Sequence, residues 1–172
     1  MKKLLAHRAV TLSLSFLPLV VFLRISYHYG YTDPGWMKGF LTGSALVLLI
    51  ILAHAASRLR LRDLLFAAAL LLLSGAIAFL ADLTPMLTAY RRFQGSVFML
   101  WYLLVRAAFA FAPGLISGFV YDPYAAVPVR AALLAAAVFA WSLIFSGVVV
   151  SIVLPLIVMT ALLYHAEKDP AA

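Results

Sequence analysis

The chain has 172 residues, of which 66% are hydrophobic and only 11% charged, and its mean hydropathy is +1.09. Soluble domains average about 45–50% apolar and about 25% charged residues, so a water-soluble fold could not hide this much apolar surface. The net charge of +7 would suggest nucleic acid in a soluble protein. At the ends of membrane spans the same charge follows the positive-inside rule and contacts anionic headgroups. We therefore expect the lipid bilayer, and no nucleic acid, as a partner.

Apolar runs of the length that a membrane span needs, about 17–25 residues, recur along the chain. The basic, apolar N-terminus resembles a signal peptide but lacks a small-residue cleavage site, so we interpret it as a retained first span. The turn-forming Asp33-Pro34-Gly35 is expected to break any helix after it. The first four predicted spans cover residues 9–26, 37–56, 64–81 and 93–113.

Residues 131–164 carry no charge. As one helix they would extend about 51 Å, at roughly 1.5 Å per residue, which exceeds a hydrocarbon core of about 30 Å unless the helix is strongly tilted. We expect two short spans here, with one long tilted helix as the alternative. The predicted fold is thus an all-α transmembrane bundle of six spans, or five, forming a single domain over residues 1–172 with short tails.

The distribution of basic residues predicts the orientation. Three basic residues precede the first span, and three more fill the connection between the second and third spans, while the 27–36 loop contains no Lys or Arg. The positive-inside rule then places the N-terminus in the cytoplasm and the 27–36 loop outside. The six basic residues assigned to the cytoplasmic side are Lys2, Lys3, Arg8, Arg58, Arg60 and Arg62.

Arg106 lies near the middle of the fourth predicted span. Insertion scales place a central Arg at about +2.5–3.5 kcal/mol, so it should face the protein interior with a partner. The candidate partners are Asp82, His54 and Asp122. In the alternative interpretation the span is displaced and Arg106 extends along its aliphatic stem to the headgroups.

Arg91 and Arg92, with Tyr90 beside them, are predicted to begin the same helix as Arg106. The planar guanidinium suits a phosphate group, so a lipid headgroup could bind there; an interfacial anchor is the plainer interpretation. His54, near the cytoplasmic end of its span, could titrate near neutrality or hydrogen-bond a carbonyl. We expect no metal site, because His28 and Asp33 alone provide too few ligands.

Small residues indicate where helices pack closely. Ala132, Ala136 and Ala140 recur every four residues and predict one smooth helix face, while Gly114 and Gly118 form a GxxxG motif. Such faces serve packing within a bundle or between subunits, and the sequence does not separate these two uses.

Motifs of membrane or soluble enzymes do not occur in the sequence. It has no HExxH, no Gly-x-Ser-x-Gly elbow, no P-loop and no cysteine, and its six acidic residues are scattered. Catalysis normally needs several such groups to converge. We therefore predict no catalytic residue, no cofactor and no enzymatic activity.

The segment "SFLPLVVFL", residues 15–23, resembles the start of the intracellular septation protein A family of bacterial inner-membrane proteins. The resemblance extends over about residues 10–110. It includes the Arg58-Leu59-Arg60 turn, the small residues Ser74-Gly75 and the basic-aromatic Arg91-Arg92-Phe93. It implies a non-enzymatic protein of the bacterial inner membrane that works in septation and cell-wall synthesis through partner membrane proteins.

Three functions follow from these observations as hypotheses. The first is a scaffold or accessory subunit that contacts other integral membrane proteins, or itself, within the bilayer. The second is a small transporter or lipid-binding protein whose anionic pocket is lined by Arg106, Arg91, Arg92, Asp82 and His54. The third is an integral-membrane enzyme, which would require Asp82 and Asp122 to converge around a metal.

Overall fold

The computed structural model describes the backbone of residues 8–93 and 95–145 and of four isolated positions, 154, 157, 158 and 161. Within these ranges, side chains are described from residue 14 onward. The predicted all-α class is confirmed, because almost all of the secondary structure in these residues is helical. The helices are α1 (Arg8–His28), α2 (Asp33–Ala56), α3 (Asp63–Leu80), α4 (Thr84–Phe93), α5 (Gly95–Phe111) and α6 (Pro128–Ile144). Short elements are β1 (Leu61–Arg62), a 3-10 turn (Pro113–Leu115) and β2 (Val120–Tyr121).

The chain divides into two compact units, one ending at Arg92 and the other beginning at Phe93. The prediction of a single domain over residues 1–172 stays a prediction.

In the first unit, α1 and α2 run antiparallel and approach closely at Gly39. A side chain at this position would meet Ser26 Oγ at 2.6 Å and the Phe22 ring at 3.0 Å. Because glycine has no Cβ, the two backbones can pack at this distance, as small residues allow in membrane helix pairs. Gly39 belongs to a Gly35-x3-Gly39-x3-Gly43 stripe that the sequence analysis missed.

Helix α3 packs against α2 through an aromatic contact. The ring of Phe40 occupies the space above Gly75, where a Cβ would overlap it. Phe40 also lies 4.6 Å from Phe22 and 5.9 Å from Phe79, measured between ring centroids. One large side chain on α2 therefore joins α1, α2 and α3.

Helix α4 was not predicted as a separate element. Its buried residues, Leu87 and Tyr90, face the bundle, while Arg91 and Arg92 are exposed. The Tyr90 ring lies 5.4 Å from the Phe40 ring, and its hydroxyl is 2.5 Å from Ser74 Oγ. The prediction that Arg91 and Arg92 begin the same helix as Arg106 is wrong, because they lie in the last turn of α4 and Arg106 lies in α5.

The second unit contains α5 and α6, which pack against each other. Ser96 at the start of α5 donates a 2.6 Å hydrogen bond to the carbonyl of Ser142 near the end of α6. The buried residues of α6 include Ala131 and Ala135, which are four positions apart. The helices α5 and α6 therefore form an antiparallel pair, which the 112–127 loop joins.

Six membrane spans are not supported. Within the described residues, two helices, α2 and α3, are long and apolar enough to cross a membrane, and a third span results if α4 and α5 count as one broken span. The part of α1 whose side chains are described, Leu14–His28, and the 17-residue α6 are shorter apolar helices. The segment predicted as a continuous fourth span contains the boundary between α4 and α5, and residues 146–153 and most of 154–164 lie outside the described residues.

The Asp33-Pro34-Gly35 sequence does not break a helix, contrary to the prediction, but begins one. Proline is accepted in the first turn, where its missing N–H has no intrahelical partner to lose, and its fixed φ suits the helix. The chain instead reverses just before, at Gly30 and Tyr31, whose φ values are +67° and +55°.

Candidate functional site

Arg106 lies five residues before the end of α5, and its side chain is 0% exposed. Its Nη1 donates a 2.7 Å hydrogen bond to Oδ1 of Asp122, which is itself 10% exposed. The 112–127 loop carries Asp122 back to the helix, since Asp122 follows β2 directly. The structure thus supports the interpretation in which Arg106 has an internal partner, rather than extending to the headgroups.

The loop fixes the position of the Asp122 carboxylate. The same Oδ1 accepts a 2.8 Å hydrogen bond from the backbone N–H of Tyr124, two residues later, as in an Asx turn. The guanidinium carbon of Arg106 lies 5.1 Å from the Tyr124 ring centroid and 5.3 Å from that of Phe109, within cation–π distance. Neither aromatic residue was singled out in the sequence.

A second ion pair joins α2 and α4. Arg91 donates from Nε to Oδ1 of Asp33 at 3.0 Å and from Nη2 to Oδ2 at 2.8 Å, a two-pronged geometry that matches the planar guanidinium to the carboxylate. The two side chains are 48% and 61% exposed, so the pair lies at the surface and its contribution to stability is about 0–1 kcal/mol. Arg92 is exposed beside it.

Aromatic residues flank Asp33 along the chain. Tyr27, Tyr29 and Tyr31 are exposed, and Trp36 donates from Nε1 to the Tyr31 carbonyl at 3.0 Å. We call these four residues the aromatic collar. Lys38 Nζ lies 4.1 Å from the centroid of the Tyr29 ring, which adds a second cation to this end of α2.

His54 is buried at the other end of α2, where its Nδ1 lies 2.9 Å from the carbonyl oxygen of Ile50. The predicted hydrogen bond from His54 to a neighbouring carbonyl is thus present in the structure. Asp82 is exposed and adopts φ +49° just after α3, where Leu83 N–H bonds to the Ala78 carbonyl and ends the helix.

These placements separate two of the predicted pocket residues, His54 and Arg91. His54 lies 21 positions along α2 from Asp33, the partner of Arg91, and a rise of about 1.5 Å per residue puts them about 32 Å apart. Arg91 and His54 therefore do not line one pocket. Among the residues that the structure describes, no three His, Cys, Asp or Glu side chains are grouped as a metal site requires.

The structure also shows where the small residues predicted to pack helices together lie. Ala132 is buried, Ala136 is partly exposed and Ala140 is exposed, so the buried face of α6 is shifted from the predicted one towards Ala131 and Ala135. Gly114 and Gly118 are exposed, and a Cβ at either would meet no atom within 4 Å. The structure therefore gives this GxxxG motif no helix contact within the described residues.

Comparisons of the chain with protein-family profiles, curated protein sequences and solved structures find no match. The resemblance to the septation protein family stays a prediction.

Proposed function

We propose that the chain is a small non-enzymatic membrane protein that acts as a scaffold or accessory subunit through contacts within the bilayer. The observation that supports this proposal is the use of its polar side chains. Arg106 is paired with Asp122, Arg91 with Asp33, and His54 with a carbonyl of its own helix. Each of these contacts holds a helix or a loop in position within its own unit, and Arg91 and His54 lie near opposite ends of α2.

The surfaces left for a partner are apolar. Helix α6 exposes Leu133 and Ile144, and α2 exposes Leu49 and Leu52. In lipid, helices associate through close packing of such faces rather than through a hydrophobic driving force, because lipid tails are equally apolar. Surfaces of this kind suit lateral contact with another integral membrane protein or with a second copy of the chain.

The proposed cellular location and the proposed role in septation rest on the sequence. The positive-inside rule supports a cytoplasmic N-terminus, and the resemblance of residues 10–110 supports the bacterial inner membrane and a role in septation. The structure adds two or three helices that are compatible with a membrane protein. A cell-length measurement after deletion of the gene tests the septation part separately.

Site-specific photo-crosslinking in living cells tests the proposal. A photoreactive phenylalanine analogue replaces Leu133 or Ile144 on α6 and Leu49 or Leu52 on α2, with the exposed loop residue Ser117 as the matched control. We expect a discrete protein-sized product from one of the two helix faces and none from Ser117. Lipid adducts alone at all four helix positions would contradict the proposal.

A second candidate, a small transporter or lipid-binding protein, is favoured by the complete burial of Arg106 within cation–π distance of two aromatic rings. In this function an anionic substrate would replace Asp122 on the guanidinium. Uptake of an anion into proteoliposomes that is lost in Arg106→Gln, while the variant keeps its fold, would favour this candidate.

A further inference from the structure

The end of the first unit that carries the aromatic collar combines three features. Two adjacent arginines on α4 are exposed, the collar residues flank Asp33, the partner of Arg91, along the chain, and residues 24–38 and 82–92 together contain four basic and two acidic residues. Tyr and Trp concentrate at membrane–water interfaces, where their apolar bodies and polar tips both find partners. This end of the helices therefore has the composition of a surface lying among lipid headgroups.

Arg91 retains donors after its pairing with Asp33. A guanidinium carries five N–H donors, and the Asp33 carboxylate takes one from Nε and one from Nη2. The described residues provide no acceptor for the other three. These donors lie on a guanidinium whose direction Asp33 already fixes, so a second anion would meet a prepositioned group.

Apolar side chains are also exposed where α3 ends, just before α4 begins. They are Ile77 and Leu80 in the last turn of α3 and Leu83 just after it. A phospholipid would match both features of this end of the unit. Its phosphate would match the positive charge of the arginines beside the collar, and its two acyl chains would match the exposed apolar side chains. Inorganic phosphate would match only the charge.

We propose that this end of the unit binds the phosphate group of an anionic phospholipid, with Arg91 and Arg92 as the donors and Lys38 adding positive charge. Asp33 orients Arg91 but repels the phosphate, so it limits the affinity. This inference goes beyond the scaffold function, and the two stand or fall separately, since lipid binding needs no protein partner.

Native mass spectrometry of the full chain in a neutral detergent tests the proposal. The protein is titrated with phosphatidylglycerol or with zwitterionic phosphatidylcholine, and bound lipids are counted. We expect the wild type to bind phosphatidylglycerol at least about fivefold more tightly, because electrostatic attraction to anionic lipid grows with each nearby basic residue. Equal binding of the two lipids would overturn the proposal.

Four variants locate the site. Arg91→Gln and Arg92→Gln should each weaken phosphatidylglycerol binding about threefold to tenfold, whereas Asp33→Asn should strengthen it by removing the competing charge. Arg58→Gln, at the opposite end of α2, is the matched control and should leave binding unchanged. A loss in Arg58→Gln alone, or a loss in Asp33→Asn as large as that in Arg91→Gln, would overturn the proposal.

A competition arm distinguishes the two sources of phosphate. Inorganic phosphate at millimolar concentration should leave the bound lipid in place, since it cannot replace the contacts of the acyl chains. Displacement of phosphatidylglycerol by inorganic phosphate would show a site for a soluble anion and would overturn the lipid assignment. Gel-filtration profiles identical to that of the wild type confirm that each variant is folded.

Discussion

Asp122 binds Arg106 from a loop that returns to α5 after leaving it, at 2.7 Å and with both side chains largely removed from solvent. The charge that the sequence places within an apolar helix is therefore balanced by a residue 16 positions later. Since the same carboxylate oxygen accepts the Tyr124 N–H, the pair also shapes the loop between α5 and α6.

Removing one member of this pair should strongly destabilise the protein. We expect Arg106→Gln or Asp122→Asn each to lower the free energy of unfolding by about 3–5 kcal/mol, because the remaining charge is buried without its counterpart. Denaturant unfolding in mixed micelles measures this effect. The double variant should lose less than the sum of the two single variants, and strictly additive losses would argue against a direct interaction.

A methyl group at Gly75 should be poorly tolerated. Gly75→Ala would overlap the Phe40 ring, and overpacking of this kind typically costs about 1–3 kcal/mol. Gly114→Ala is the matched control, since a Cβ there meets open space. Thermal unfolding should show a lowered midpoint for Gly75→Ala alone. Equal behaviour of the two variants would contradict the packing of Phe40 on α3.

The left-handed backbone at Asp82 offers a stabilising substitution. An L-residue in this region is strained by about 1–2 kcal/mol, less for Asp and Asn, and glycine is not. Asp82→Gly should therefore raise the free energy of unfolding by up to about 1 kcal/mol, while Asp82→Ala should lower it. Chemical denaturation of the three proteins checks this order, and destabilisation by Asp82→Gly would indicate that the carboxylate itself is needed.

The absence of cysteine makes labelling of single introduced thiols free of background. With α2 crossing the membrane and the N-terminus in the cytoplasm, His28→Cys should react with an impermeant maleimide added outside spheroplasts. Ser57→Cys should react only after the membrane is permeabilised. The reverse pattern would contradict the orientation, and labelling of both from one side would contradict the crossing of α2.

The sequence predicted the helices whose apolar length is sufficient by itself. Helices α2 and α3 were expected at 37–56 and 64–81 and are found within a few residues of these bounds, because their burial in lipid or protein depends only on composition. Helix α4 was missed because its ten residues carry no such run. Its position depends on Tyr90 packing against Phe40, a contact between distant segments.

The same distinction applies to the polar residues. Asp122 was one of three partners considered for Arg106, since it follows the same helix. Asp33 was not considered for Arg91, because 58 residues separate them and only the packing of α4 brings them together. The Gly35-x3-Gly39-x3-Gly43 stripe is a packing motif that the sequence alone contains, but its first glycine also belongs to the turn-forming Asp33-Pro34-Gly35.

The central claim is that the polar side chains hold the fold while the apolar helix faces bind the partner. The most direct test uses the charge-neutral variant Arg106→Gln/Asp122→Asn. This variant also carries the photoreactive residue on the helix face that crosslinks in the wild type. If the claim holds, the folded variant gives the same crosslinked product at a similar yield. A folded variant that no longer crosslinks would contradict it and would assign the buried pair to the functional site.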